Sequence, residues 1–209
     1  MTALPIVILH ASDLHFSHPG NKLFDGYSID IGAGVTVVRG GDGSGKSSLL
    51  RLLAGAVSAD SGTLAIGAVE LARQADDYRR QVFWIEPRSE QFDQITPRAY
   101  FASLAPRYPA FDQGMLDHVI NGLSLAPHLD KQLYMLSTGS KRKVWLAAAL
   151  AAGATVNLLD DPLAGLDRVS INFFFDQLKR AAANPAQAWV LAMYEAPADL
   201  PLAAILELT

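Results

Sequence analysis

Gly40-Gly41-Asp42-Gly43-Ser44-Gly45-Lys46-Ser47 sets four residues between Gly40 and Gly45 and follows them at once with a lysine and a hydroxyl. Each part of that spacing has a physical purpose. Glycines let the backbone curl so that successive N–H groups point inward at phosphate oxygens, and a following helix adds its positive N-terminal end. A lysine at this place reaches the β- and γ-phosphates, and a serine hydroxyl can serve Mg²⁺. The flanks agree. Val35-Thr36-Val37-Val38, closed by Arg39-Gly40-Gly41, is a short β-branched run that predicts a strand. Ser47 to Ala56 predicts a helix with Leu49, Leu50, Leu52 and Leu53 clustered on one side. Strand, glycine loop and helix together predict nucleotide binding by Gly40, Gly41, Asp42, Gly43, Ser44, Gly45, Lys46, Ser47 and Ser48.

Working outward, strands are predicted at the N-terminal run ending Ile6-Val7-Ile8-Leu9, at Gly62–Ile66, at Gln81–Ile85, at Thr155–Asp160 and at Trp189–Met193. From Pro87 to Leu136 five prolines (Pro87, Pro97, Pro106, Pro109, Pro127) cut the chain into short pieces, with helical patterns near Arg98–Leu104 and Met115–Leu123. Ser137 is placed to cap a helix running to about Ala152, and Ser170–Ala183 predicts another. Strands alternating with helices give an α/β fold around a parallel sheet. The expected division is one domain over 1–209, with a core of 1–86 and 146–209 and an inserted helical subdomain at about 87–145.

The 209 residues suffice for one such domain, and half of them are hydrophobic. The charge balance is 17 − 21 = −4, which offers no electrostatic footprint for a nucleic-acid backbone, so no nucleic-acid partner is expected. With no cysteine, thiolate metal sites, disulfides and cysteine nucleophiles are excluded. The N-terminus lacks the basic region of a secretory signal, and Val144–Val156, the longest apolar stretch, falls short of the roughly 20 residues that cross a bilayer.

Asn157-Leu158-Leu159-Asp160-Asp161-Pro162 is an apolar strand ending in two acids, which would set Asp160 beside the loop to hold, through water, the metal that Ser47 also serves. Leu136-Ser137-Thr138-Gly139-Ser140-Lys141-Arg142-Lys143-Val144-Trp145 resembles the signature motif and following helix of the ATP-binding cassette (ABC) ATPases, and it precedes the acids as that family requires. Leu163-Ala164-Gly165-Leu166-Asp167 is similar to the family's D-loop. Tyr108-Pro109-Ala110-Phe111-Asp112, with Lys141-Arg142-Lys143, is reminiscent of cassettes serving ABC-2 type exporters.

The resemblance implies a phosphate-loop NTPase fold of the ABC type, including an N-terminal antiparallel β portion. It implies an ATP- and Mg²⁺-dependent ATPase that pairs head to tail with a second cassette and powers a separately encoded integral membrane permease. The chain would then sit in the cytoplasm, peripheral on the inner face of the cell membrane through that permease. Carried over by position, Ser137, Thr138, Gly139 and Ser140 would close the partner's site, Asp161 and Lys46 would be catalytic, and Asp167 would be the D-loop acid. His18 would stack on adenine, with Phe16 as second choice.

The chain departs from the family at several points. Asp161 stands where the family has glutamate, one methylene longer, and two outcomes stay open: hydrolysis slowed about 10²-fold, or rescued by a small backbone shift. Glu195 aligns with the switch histidine, the Q-loop slot falls on Glu86-Pro87 with Gln91 the nearest glutamine, and Thr138 and Ser140 replace a glycine and a glutamine. Two other readings stay open on these residues: a nucleotide-binding regulatory cassette with little turnover, and a non-transport ABC ATPase. His10, His118 and His128 have no metal-ligand spacing, Phe173-Phe174-Phe175 is read as packing, and Lys141-Arg142-Lys143 as a solvated helix face.

Overall fold

A computed structural model describes residues 6–87 and 89–208. Two sheets enclose the first helix. The larger is wholly parallel and has the strand order β6(Val82–Trp84)-β7(Val156–Asp160)-β8(Ala188–Met193)-β3(Gly34–Arg39)-β9(Ala204–Glu207). The smaller is antiparallel, with the order β2(Asn21–Gly32)-β1(Val7–His18)-β4(Ser61–Ile66)-β5(Val69–Glu70).

The continuous apolar texture of the parallel strands follows from burial on both faces. Val35, Val37, Phe83, Leu159, Trp189 and Leu191 pack against α3(Pro97–Ala102), α4(Gln113–Gly122), α5(Thr138–Ala152) and α6(Arg168–Ala181). Their alternates Val38, Val82, Val156, Leu158, Val190 and Ala192 face α1(Lys46–Leu53) and the inner side of the antiparallel sheet. α2(Ala75–Arg80) joins that second cluster through Tyr78, whose hydroxyl donates to the Leu53 carbonyl at 2.7 Å.

Several boundaries differ from expectation for identifiable reasons. The N-terminal strand was expected to stop before the polar residues His10, Ser12 and Asp13. Instead β1 runs on to His18, and its buried residues change parity from Leu9 and Ala11 to Leu14 and Phe16. A β-bulge at Asp13, a non-glycine residue with φ 52°, makes that shift and turns the polar side chains outward. Residues 1–5 of that expected strand lie outside the described residues. Helix α1 stops at Leu53 rather than Ala56, because Gly55 takes a left-handed φ of 63°. α6 starts at Arg168 rather than Ser170, because the Asp167 carboxylate accepts from the Ser170 N–H at 2.8 Å and so caps the helix.

α5 follows the expected bounds, capped by Ser137 and ended by Gly153 at φ 64°. It runs unbroken through residue 145, so one helix spans the division expected between insert and core.

Candidate nucleotide site

The C-terminal ends of β3, β7 and β8 lie side by side, with Asp160 registered to Ala192 and Arg39 to Met193. Ligands of open parallel sheets bind at this edge. A cleft of about 840 Å³ opens there. A second cavity of about 470 Å³ lies between α3, α4 and the turn at 126–129, remote from the loop and the paired acids.

Asp42 to Ser48 of the glycine loop and the start of α1 line the larger cleft, with Gly40 and Gly41 just behind them in the chain. A side chain at Gly40 would run into the Leu208 carbonyl and the Ser44 hydroxyl, and Gly45 takes φ 95° directly before α1. No side chain caps α1 and no acid stands in its first turn, so its leading N–H groups remain available to an anion. Lys46 lies along the loop, its ammonium donating to the Gly40 and Gly41 carbonyls at 2.6 and 2.8 Å.

The Ser47 hydroxyl donates to Asp160 Oδ2 at 2.6 Å, joining two residues 113 positions apart in the chain. Burial holds the Asp160 carboxyl above its ordinary range, and the nearby negative charges of Asp161 and Glu86 push the same way. The Ser47 hydrogen bond and the charge of Arg142 oppose them. A carboxyl raised on folding binds its proton more tightly in the native chain than in the unfolded one. Its effect on stability is therefore adverse at neutral pH and eases as pH falls through the native value. Asp160→Asn is expected to raise the melting temperature of the nucleotide-free protein near neutral pH, and to shrink its gain in stability on mild acidification. Scanning calorimetry at the two pH values checks this, and a lower melting temperature for the Asn form at neutral pH would overturn it.

Asp161 lines the cleft beside Asp160, in a left-handed conformation with φ 46°. His18 also lines the cleft, its ring Nε2 3.1 Å from the Ser48 hydroxyl. Phe16 is buried beneath it, edge-on with ring centroids 5.0 Å apart, which removes it as a stacking platform. Ser137 caps α5 by accepting from the Ser140 N–H at 3.2 Å, and its hydroxyl lies 3.1 Å from that of Ser140. Ser137 and Thr138 are exposed, and Thr138 lines the cleft. Gly139 sits against the D-loop, where an added Cβ would collide with the Gly165 carbonyl.

The structure corrects two expectations. Glu195 is exposed and is not among the residues lining the cleft, where Met193 and Tyr194 stand instead. The strand ends at Met193, so the residue that borders the cleft is the one right after it, not the next. Lys141-Arg142-Lys143 is not a solvated face. Lys141 pairs with Asp93 at 2.5 Å, Lys143 with Asp167 at 2.9 Å, and Arg142 is buried at 9% exposure with its guanidinium donating to the Asp160 carbonyl at 2.9 Å.

Sequence reasoning missed Arg142, Arg51, Asn21 and Tyr194 as lining residues. Only Arg51 left a signal, since one helical turn separates it from Ser47. Its guanidinium meets Glu86 at 2.8 Å, which gives the Q-loop slot a charged partner on α1. Gln91 is exposed and does not line the cleft.

A glycine loop on the first turn of α1, closed over a hydroxyl–carboxylate pair at a parallel sheet edge, defines a phosphate-loop nucleotide-binding protein. The pattern of the ABC transporter family matches residues 24–164. The cytochrome c biogenesis ATP-binding export protein CcmA 2 of Salmonella paratyphi A is 32% identical over 181 residues, 86% of this chain and 85% of that protein. The CcmA protein of Pseudomonas savastanoi pv. phaseolicola is 30% identical over 78% of this chain and 77% of its own. An ATP-binding subunit of an ABC transporter superposes with a TM-score of 0.80 at 19% identity, covering 90% of this chain and 79% of that one, a likeness of fold. The chain belongs to the ABC transporter family, as an ATP-binding and ATP-hydrolysing subunit that powers a separate membrane permease. No helix among the described residues is long and apolar enough to cross a membrane.

Proposed function

We propose that this subunit works as an export ATPase on the inner face of the membrane, paired head to tail with a second cassette. Nucleotide on the Lys46 loop of one cassette would be covered by Ser137, Thr138, Gly139 and Ser140 of the other. The observation that carries the reading is the Ser47–Asp160 hydrogen bond, which sets a hard-oxygen pair at the head of the phosphate loop with Asp161 beside it.

That pair suits Mg²⁺. The cation prefers oxygen donors and commonly takes only one or two from protein, the rest coming from phosphates and water. Among the described residues no group of three or more His, Asp or Glu could hold a metal alone, which fits a cation that arrives with the nucleotide. The raised Asp160 carboxyl also favours a neighbouring positive charge. Ser47 and Asp160 would hold the ion, which would neutralise charge on the phosphates.

The remaining chemistry belongs to the chain's own groups. Lys46 leaves the loop carbonyls to meet the phosphates, His18 supports the base, and the Asp161 carboxylate orients the attacking water and accepts its proton. A second chain is supported by exposed apolar side chains beside this machinery. Tyr134 and Met135 precede the signature, Val169 follows the D-loop at 75% exposure, and Tyr194 lines the cleft at 72%. Export follows the names of the relatives, and the helical insertion between about Pro87 and Leu136 supplies the groove that meets the permease.

The test is affinity purification of the full chain from detergent-solubilised membranes. An integral membrane protein is expected to co-purify and to alter ATP turnover. Recovery of the cassette without any membrane protein would remove the transport assignment.

A further inference from the structure

The peptide group joining Asp160 to Asp161 is held at both ends. Its carbonyl oxygen accepts from Arg142 Nη1 at 2.9 Å, and its N–H donates to the Ala192 carbonyl on β8 at 2.9 Å. Arg142 comes from α5, one turn after Thr138 and on the same face, and both line the cleft. At 9% exposure its charge is largely withdrawn from water, and a buried guanidinium needs such acceptors. The residue that follows the clamped carbonyl, Asp161, has φ 46°. Aspartate tolerates the left-handed region better than most residues, yet the conformation is uncommon and needs support from its surroundings. Aspartate also has one torsion fewer than glutamate, so the backbone largely dictates where its carboxylate points.

We infer that Arg142 is a positioning residue for hydrolysis: it fixes the Asp160–Asp161 peptide and so aims the short Asp161 carboxylate into the cleft. The inference rests on the assignment of Asp161 as the group that orients water. It also ties the signature helix to its own chain's hydrolytic site through Arg142, while the residues at the start of that helix face the partner's nucleotide in the proposed pairing. The arrangement accounts for how a carboxylate one methylene shorter can be held to a fixed direction. An error of about an ångström in such placement costs on the order of 10² in rate.

The experiment uses the full chain with Arg142→Met, which keeps the apolar stem, Arg142→Lys, which keeps a cation, Asp161→Asn, and the Met and Asn changes combined. Arg142→Met is expected to lower kcat about 10- to 100-fold with KM for ATP and the affinity for a fluorescent ATP analogue unchanged. Arg142→Lys recovers part of the loss. In the Asp161→Asn background the Met change has no further effect, because the group it aims is already disabled. Hydrogen exchange, read without nucleotide, is expected to quicken at the Asp161 amide in Arg142→Met. Unchanged exchange at that amide overturns the clamp. An undiminished loss in the Asp161→Asn background, or a fall in ATP affinity or melting temperature that accounts for the lost rate, overturns the positioning role. Full turnover in Asp161→Asn alone would instead sink the assignment of Asp161, and the two failures are told apart by the exchange measurement.

Discussion

Phosphate release by Asp161→Asn is expected to fall about 10²- to 10⁴-fold, the range for loss of a positioned general base. The amide keeps the shape of the carboxylate but cannot take a proton from water. The backbone makes this a clean substitution. Asp161 is left-handed, a region asparagine occupies as readily as aspartate, and its N–H is anchored to Ala192 whatever the side chain carries. An alanine there would add backbone strain to the loss of the base. Blocked hydrolysis should also let ATP hold two cassettes together, so light scattering is expected to show a dimer only when ATP is present. Turnover equal to that of the parent would show that Asp161 is not the base. An Asn form that stays monomeric with saturating ATP would remove the head-to-tail pairing.

Lys46→Ala is expected to weaken ATP binding about a hundredfold. Charge-assisted hydrogen bonds of an ammonium contribute about 1.5–3 kcal/mol, and each 1.4 kcal/mol is a factor of ten in affinity. In the nucleotide-free chain the ammonium is spent on the Gly40 and Gly41 carbonyls, at the surface of the loop rather than in the core. Its removal therefore falls on binding far more than on folding. Arg39, the nearest cation before the loop, pairs with Glu207 at 2.5 Å and does not line the cleft, so it is poorly placed to substitute. Titration with a fluorescent ATP analogue and Mg²⁺ measures the change, and a melting curve confirms the fold. Affinity equal to the parent's would sink the role given to Lys46.

The phosphate loop, its strand, its helix and the placing of Asp160 beside that loop were legible in the sequence, while the direct Ser47–Asp160 hydrogen bond was not. Gly40 and Gly45 impose local backbone demands on a contiguous stretch, and a β-branched run followed by leucines on one helical face fixes the elements to either side. Asp160 could be placed because a buried strand in a parallel sheet has one C-terminal end, and that end must lie beside the loop. The capping of α5 by Ser137 was legible for the same local reason.

Other features depended on how distant segments pack. β2 carries a strand signal of its own in the alternation Tyr27, Ile29, Ile31, but its extension back to Asn21 came from pairing along β1, across a bulge that no periodicity announces. Tyr194 rather than Glu195 lines the cleft because the end of β8 at Met193 sets which residue borders it, and the sequence carries no register for that. Lysine and arginine after the signature suit a solvated helix as well as a buried pair, since the long apolar stem packs in either setting. Only the contact of α5 with the end of β7, and with Asp93 and Asp167 from elsewhere in the chain, determined that all three cations are engaged. Local sequence therefore determined the phosphate cradle, whose geometry is written in consecutive residues. Tertiary packing decided the charge environment around it, because a side chain's partner is set by which distant element lies within a few ångströms.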